Sequence, residues 1–143
     1  MNIINLFWIS LAIGFATPQN NSSLSGKWIL KCYKDIILKE EECTSMTDSE
    51  IPITIEFKDN GKIGKLTGQT EYNFVYGEYE IPDSNKIIMK NVGGSKVNEL
   101  GKFGNKFLPA MKHSSSFSFH KGCLIIFYDN DTKAMKFINA KLD

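Results

Sequence analysis

Leu24, Gly26, Trp28, Leu30 and Cys32 alternate with Ser25, Lys27, Ile29, Lys31 and Tyr33. This period-two pattern predicts a half-buried strand with Trp28 on its core face. Ile53, Ile55 and Phe57 alternate with Thr54, Glu56 and Lys58 and predict a second strand. Asp59-Asn60-Gly61 follows. Asn-Gly accepts positive φ and predicts a tight hairpin turn, which sends the chain back through residues 62–66. Residues 72–81 carry Tyr72, Phe74, Tyr76 and Tyr79 and predict a further strand. Gly77 inside it marks a bulge or a close backbone approach. Pro82-Asp83-Ser84-Asn85 reads as a turn. Residues 86–90 form a short strand, and Gly93-Gly94 breaks the chain after it.

The period then changes. Leu100, Phe103, Phe107, Leu108 and Met111 recur at spacings of three and four, so one face of a helix collects them. The pattern predicts a helix over residues 97–112. Gly101 and Gly104 each weaken it by roughly 1 kcal/mol relative to Ala, and Pro109 predicts a kink or an early end. Phe117 and Phe119, then residues 123–128 and 134–138, read as the closing strands. Apolar side chains on both faces of 123–128 suit a central strand covered on two sides. The fold class that follows is mainly β with one helix (α+β). It is an antiparallel β-barrel, open or closed, of about seven or eight strands, capped by a helix inserted before the last strands.

Ahead of the domain, residues 3–16 form an apolar run without a charged side chain. It is too short to cross about 30 Å of hydrocarbon comfortably as a helix. Gly14 and Ala16 supply the small residues of a cleavage site before Thr17. Residues 1–16 are therefore read as a signal peptide, 17–23 as a flexible polar segment, and 24–143 as the folded domain. The expected location is outside the cell or in the secretory pathway, with no transmembrane segment left after cleavage. Asn20, Asn21 and Asn130 each begin a sequon for N-glycosylation.

Charge narrows the partners. The 143 residues carry a formal net charge of +1, with Lys, Asp and Glu interspersed and no Arg. Nucleic acid, which needs a basic stripe, is not an expected partner, and bidentate guanidinium recognition of phosphate is absent. An oxidising compartment permits disulfides. Cys32 and Cys43 flank one short charged excursion and are the expected pair, which leaves Cys123. Cys123 opens an apolar strand and reads as a core cysteine, or as a competing or intermolecular partner for another thiol.

No residue set qualifies as catalytic or metal-binding, and no cofactor is expected. His120-x-x-Cys123 with His113 as a third ligand has poor spacing, because positions three apart on a strand face opposite ways. A thiolate nucleophile needs a helix N-terminus or a nearby cation, and Cys123 has neither in the pattern. Asp129-Asn130-Asp131 lacks the Gly and the later Glu of a calcium loop. Glu40-Glu41-Glu42 reads as a solvated charge run.

The order of these signals is more specific than any one of them. Leu24-Ser25-Gly26-Lys27-Trp28-Ile29-Leu30 resembles the opening Leu-x-Gly-x-Trp-x-Leu of the META domain. That domain occurs in bacterial HslJ-type heat-shock lipoproteins and kinetoplastid META proteins. Gly68-Gln69-Thr70-Glu71-Tyr72, then Gly77-Glu78-Tyr79, resembles that family's Gly-Cys-Asn-x-Tyr followed by Gly-x-Tyr. Gln69 and Thr70 stand where the family has cysteine and asparagine, so any disulfide is arranged differently here. The resemblance covers residues 24–138. It implies a β-rich fold with a helix, an envelope or secreted setting, and links to stress or virulence, with no catalytic residues to carry over. A rival resemblance is to small lipocalins, whose first motif also contains Gly-x-Trp. Those place the helix after the barrel strands, and they use an arginine that this chain lacks.

The function expected from this is a non-catalytic interaction with a protein or cell-surface partner. The alternative is a lipocalin-like carrier of a small apolar ligand, with Trp28, Tyr72, Phe74 and Tyr76 as the ligand wall, unless those side chains simply fill the core. A third reading, a protease inhibitor, would use residues 34–49 as a rigid loop.

Overall fold

The computed structural model describes residues 23–44, 51–99 and 102–142. The leader, the sequons at Asn20 and Asn21, and the polar segment up to residue 22 lie outside them. The strands are β1 (Gly26–Asp35), β2 (Glu40–Cys43), β3 (Thr54–Asp59), β4 (Ile63–Gln69), β5 (Phe74–Glu80), β6 (Ile88–Gly94), β7 (Ser114–His120), β8 (Cys123–Tyr128) and β9 (Lys133–Asn139). One helix, α1 (Lys102–Lys112), stands between β6 and β7, and a turn of 3-10 helix, Ala140–Leu142, follows β9.

All pairings are antiparallel, and the strands run in the order β6-β5-β4-β3-β1-β9-β8-β7. Apart from β2, each strand pairs with its neighbour in sequence, and the first pairs with the last. This is an up-and-down meander rolled into a barrel. Its seam lies between β6 and β7. There the Lys86–Ser116 bridge, Ile87 N–H to Ser115 O (3.0 Å) and Phe117 N–H to Asn85 O (2.9 Å) join the two edges at one point. Beyond that point α1 packs against β6. The fold expected from the sequence is the one observed, and β2 is an added short strand on β1.

One contiguous apolar cluster fills the interior. Tyr79, Phe57, Phe107, Phe137, Leu30, Ile55, Leu66, Leu124, Ile126 and Met135 are among its fully buried side chains. Each end of the barrel is stopped. At one end, buried Leu24 is held by its N–H to Asp59 Oδ2 (3.0 Å) and by Trp28 Nε1–H to its own carbonyl (3.2 Å). The Tyr79 hydroxyl donates to the same Asp59 oxygen at 2.5 Å. At the other end, α1 drops Phe107 and Met111 into the core, and the Tyr33 hydroxyl donates to Phe103 O at 2.8 Å.

Several local expectations are corrected. A bulge between Leu30 and Cys32 in the β1–β9 register changes the phase of β1, so Tyr33 faces the core although the alternation put it outside. Gly93 and Gly94 do not break a strand; they close β6, and the Tyr76 ring lies against Gly93. The bulge expected at Gly77 is present, with Asn91 and Val92 of β6 opposite it and Asn91 at φ 53°. The helix starts at Lys102 rather than Val97, and it runs on past Pro109 to Lys112. Burial of Phe107, Ala110 and Met111 outweighs the lost hydrogen bond. Its last turn is capped by His113 N–H to Pro109 O and Ser114 Oγ to Ala110 O. Cys123 is a half-buried free thiol rather than a core residue, because Leu124, Ile126 and Tyr128 take the inward positions of β8.

Gly64 is the tightest point in the stopper beneath Leu24. A Cβ there would lie 2.5 Å from both Asp59 Cβ and the Lys58 carbonyl, and 2.6 Å from the Tyr79 ring. Gly64→Ala should lower stability by about 2 kcal/mol in urea unfolding, and an unchanged midpoint would contradict this packing.

Candidate functional site

The loops and helix at the α1 end form a rim around the barrel mouth. On one side stands the β1–β2 hairpin, in which Cys32 pairs with Cys43, Lys34 with Glu41 and Asp35 with Glu40. The expected Cys32–Cys43 disulfide is formed, and it clamps the base of the hairpin. The turn is fixed by Leu38 N–H to Asp35 Oδ1 (2.9 Å), by Lys39 at φ 58°, and by Ile36 N–H to Thr132 O (2.9 Å). Its tip is apolar: Ile37 and Leu38 are 69% and 64% exposed. All four residues of β2 are exposed, as the charge-run reading of Glu40-Glu41-Glu42 expects.

Opposite the hairpin, α1 is anchored by a buried carboxylate. Glu99 Oε2 accepts from the Thr70 hydroxyl at 2.5 Å and from Asn73 Nδ2 at 2.6 Å. Asn105 bonds both the N–H and the carbonyl of Glu99. Gly104 leaves room for the carboxylate, since a Cβ there would sit 2.2 Å from Glu99 Oε1. The negative group lies beside the start of α1, where the helix dipole favours it. The sequence reading did not find Glu99. The one available signal was an acidic residue just before a predicted helix.

Between hairpin, α1 and the β8–β9 turn lies an open cleft of about 960 Å³. Tyr33 and Tyr128 line it from beneath, and Asp35, Glu40, Lys106 and Lys133 from its walls. Lys106 Nζ lies 2.8 Å from Glu42 Oε1 and 5.3 Å from the centre of the Tyr33 ring. Burial holds the Tyr33 hydroxyl well above the usual phenol range, with smaller effects from Tyr128 and Glu99. Burial also raises Tyr128, helped by Asp129 and Asp35. Both phenols are therefore neutral near pH 7.

The four residues proposed as a ligand wall do not share a surface. Trp28 is inside the barrel, and its ring lies 5.9 Å from that of Phe119. Phe74 and Tyr76 point outward and stack on each other at 6.1 Å, and Tyr72 is exposed in the β4–β5 turn. The physical reason is strand phase: Val75 and Tyr79 take the inward positions of β5. His120 is the register partner of Cys123, whereas His113 sits at the opposite end of the barrel, so those three are not brought together. Asn130 lies exposed in the β8–β9 turn, where residues 129–131 all have positive φ.

No protein-family model matches the chain, and no curated protein does. Two solved structures share its fold. A protein from Burkholderia xenovorans, solved by NMR, is 18% identical with a TM-score of 0.63, over 87% of this chain and 93% of its own. A DUF4847 family protein from Bacteroides vulgatus is 15% identical with a TM-score of 0.56, over 83% of this chain and 95% of its own. At these identities the likeness concerns the fold alone.

The hairpin clamp gives a direct check. Replacing Cys32 and Cys43 together by Ala should cost roughly 3 kcal/mol in denaturant unfolding, the scale expected for a short closed loop. The unfolded wild-type protein should titrate as a single thiol. Three reactive thiols would contradict the pairing.

Proposed function

We propose that this is a secreted, non-catalytic interaction protein that engages a protein partner at a cell surface through the tip of its clamped hairpin. The observation that carries the reading is the exposure of Ile36, Ile37 and Leu38 in one tight turn closed by a disulfide. Exposed apolar side chains are ordinary when scattered, but three in a row on a protruding, covalently braced turn form a contact element. Bracing supports binding because a turn already ordered loses little entropy on docking.

Secretion is supported by the apolar leader and by a disulfide of the kind that is common in oxidising compartments and rare in the cytosol. The META resemblance fits this setting. The carrier reading is less well supported, because the barrel interior is occupied by the protein's own side chains.

A photoreactive residue in place of Ile37 should give a discrete, saturable adduct with a surface protein of cells exposed to the mature protein. Leu38→Asp should abolish that adduct while changing stability by no more than about 0.5 kcal/mol, as expected of an exposed site. Saturable cell binding that survives Leu38→Asp would refute the hairpin as the contact element.

A further inference from the structure

On the outer side of the rim, where β5 begins, two aromatic rings stand in the open. Phe74 and Tyr76 are 56% and 50% exposed, and they stack with centroids 6.1 Å apart and planes 30° apart. Val75 and Tyr79 supply the core from this strand, so neither ring is needed to fill it. Gln69 lies opposite Phe74 in the register, and Thr67 and Gly93 lie on either side of Tyr76. Gln69 and Thr67 are themselves exposed and Gly93 has no side chain, so among the described residues nothing on the adjacent strands covers the rings.

Both rings are held in place before any ligand arrives. The Tyr76 ring rests against Gly93, where a Cβ would come within 3.3 Å of its hydroxyl. Phe74 N–H donates to Ser95 Oγ (3.0 Å), and the Ser95 hydroxyl donates to Asn73 Oδ1 (3.0 Å). Asn73 also makes two hydrogen bonds of 2.7 Å with the Val97 backbone. The start of β5 is thereby tied to the chain that follows β6, and a surface already ordered loses little entropy on binding.

Charge selects the occupant. The positions opposite the two rings offer a hydroxyl, an amide and a glycine, all neutral. The next row is charged but compensated: Glu78 lies between Lys65 and Lys90, and Lys90 pairs with Glu80. An anionic membrane calls for a basic flank. A stable protein interface buries about 800 Å² per partner around an apolar core, and two rings bordered by Thr67 and Gln69 are too small for one. A sugar ring matches both features. Its C–H bonds are attracted to the negative face of an aromatic ring, and its hydroxyls suit a neutral polar border.

We infer that this face binds a neutral, β-linked oligosaccharide of the glucose type. Pyranose C–H faces stack on Phe74 and Tyr76, and the sugar hydroxyls bond the Thr67 hydroxyl and the Gln69 amide. All-equatorial pyranoses are selected because their faces carry C–H bonds alone. The site is independent of the hairpin tip, since β4 and β3 stand between β5 and β1.

Cellohexaose and chitohexaose are the probes, titrated into the intact protein and followed by amide NMR shifts. One-site saturation by at least one of them at millimolar concentration, centred on β4 and β5, is expected. Raising salt from about 50 to about 500 mM should leave it unchanged, because no charge pairing is involved. Tyr76→Ala and Phe74→Ala should each weaken binding about tenfold or more. Phe74→Tyr keeps a ring and should retain binding, whereas Thr67→Val, which removes only the hydroxyl, should weaken it about fivefold. Ile63→Ser removes an exposed apolar side chain at the other end of β4 and should change nothing. Four results would overturn the inference: no saturable shift with either sugar, sugar binding that Tyr76→Ala leaves intact, a dimer in sedimentation that Tyr76→Ala dissociates, or flotation with phosphatidylcholine vesicles that Tyr76→Ala abolishes.

Discussion

β1 pairs with β9 along almost its whole length, from Trp28 opposite Asn139 to Asp35 opposite Lys133. This contact between the first and last strands of the barrel joins the β3–β6 half and the β7–β9 half into one curved wall. It places Trp28, Leu30 and Tyr33 inside, in one core cluster with side chains from the other wall strands. It also leaves the weak point of the cylinder elsewhere, at the β6–β7 seam. Only a few backbone hydrogen bonds cross there, and α1 covers the rest. An edge strand left open is a template for unwanted pairing, and the helix removes that liability.

Closure has a second consequence. With Leu24 stopping one end and Phe107 and Met111 the other, large side chains occupy the space that a wider barrel would offer a ligand. What remains available for recognition is the rim. The rim elements are each held by a separate local device: a disulfide for the hairpin, the Glu99 carboxylate for α1, and a run of positive-φ residues for the β8–β9 turn. The contact surface is thus rigid without drawing on the core for its shape.

Most of the architecture was legible because its signals were periodic. The strands around Trp28 and Phe57 show alternation, the continuous apolar run of 123–128 marked a further strand, and the switch to three- and four-residue spacing marked α1 and its place before the last strands. The failures have physical causes. Strand β2 has no apolar alternation, since Glu40, Glu41 and Glu42 are all exposed; it exists because β1 and the disulfide hold it. The bulge after Leu30 turned Tyr33 inward, and no local residue announces it. In β5 both faces carry aromatic side chains, so composition could not decide which face met the core, and Phe74 and Tyr76 were placed on the wrong side. Glu99 acquires meaning only from partners brought in by topology, Thr70 and Asn73.

The claim most open to direct test is that the barrel interior is filled by the chain itself and that recognition belongs to the rim. Native mass spectrometry of the protein purified without denaturant, followed by solvent extraction and analysis of the extract, tests it. The account predicts the mass of the polypeptide with one disulfide and no apolar molecule in the extract. A stoichiometric lipid or other apolar compound that leaves only on unfolding would contradict it.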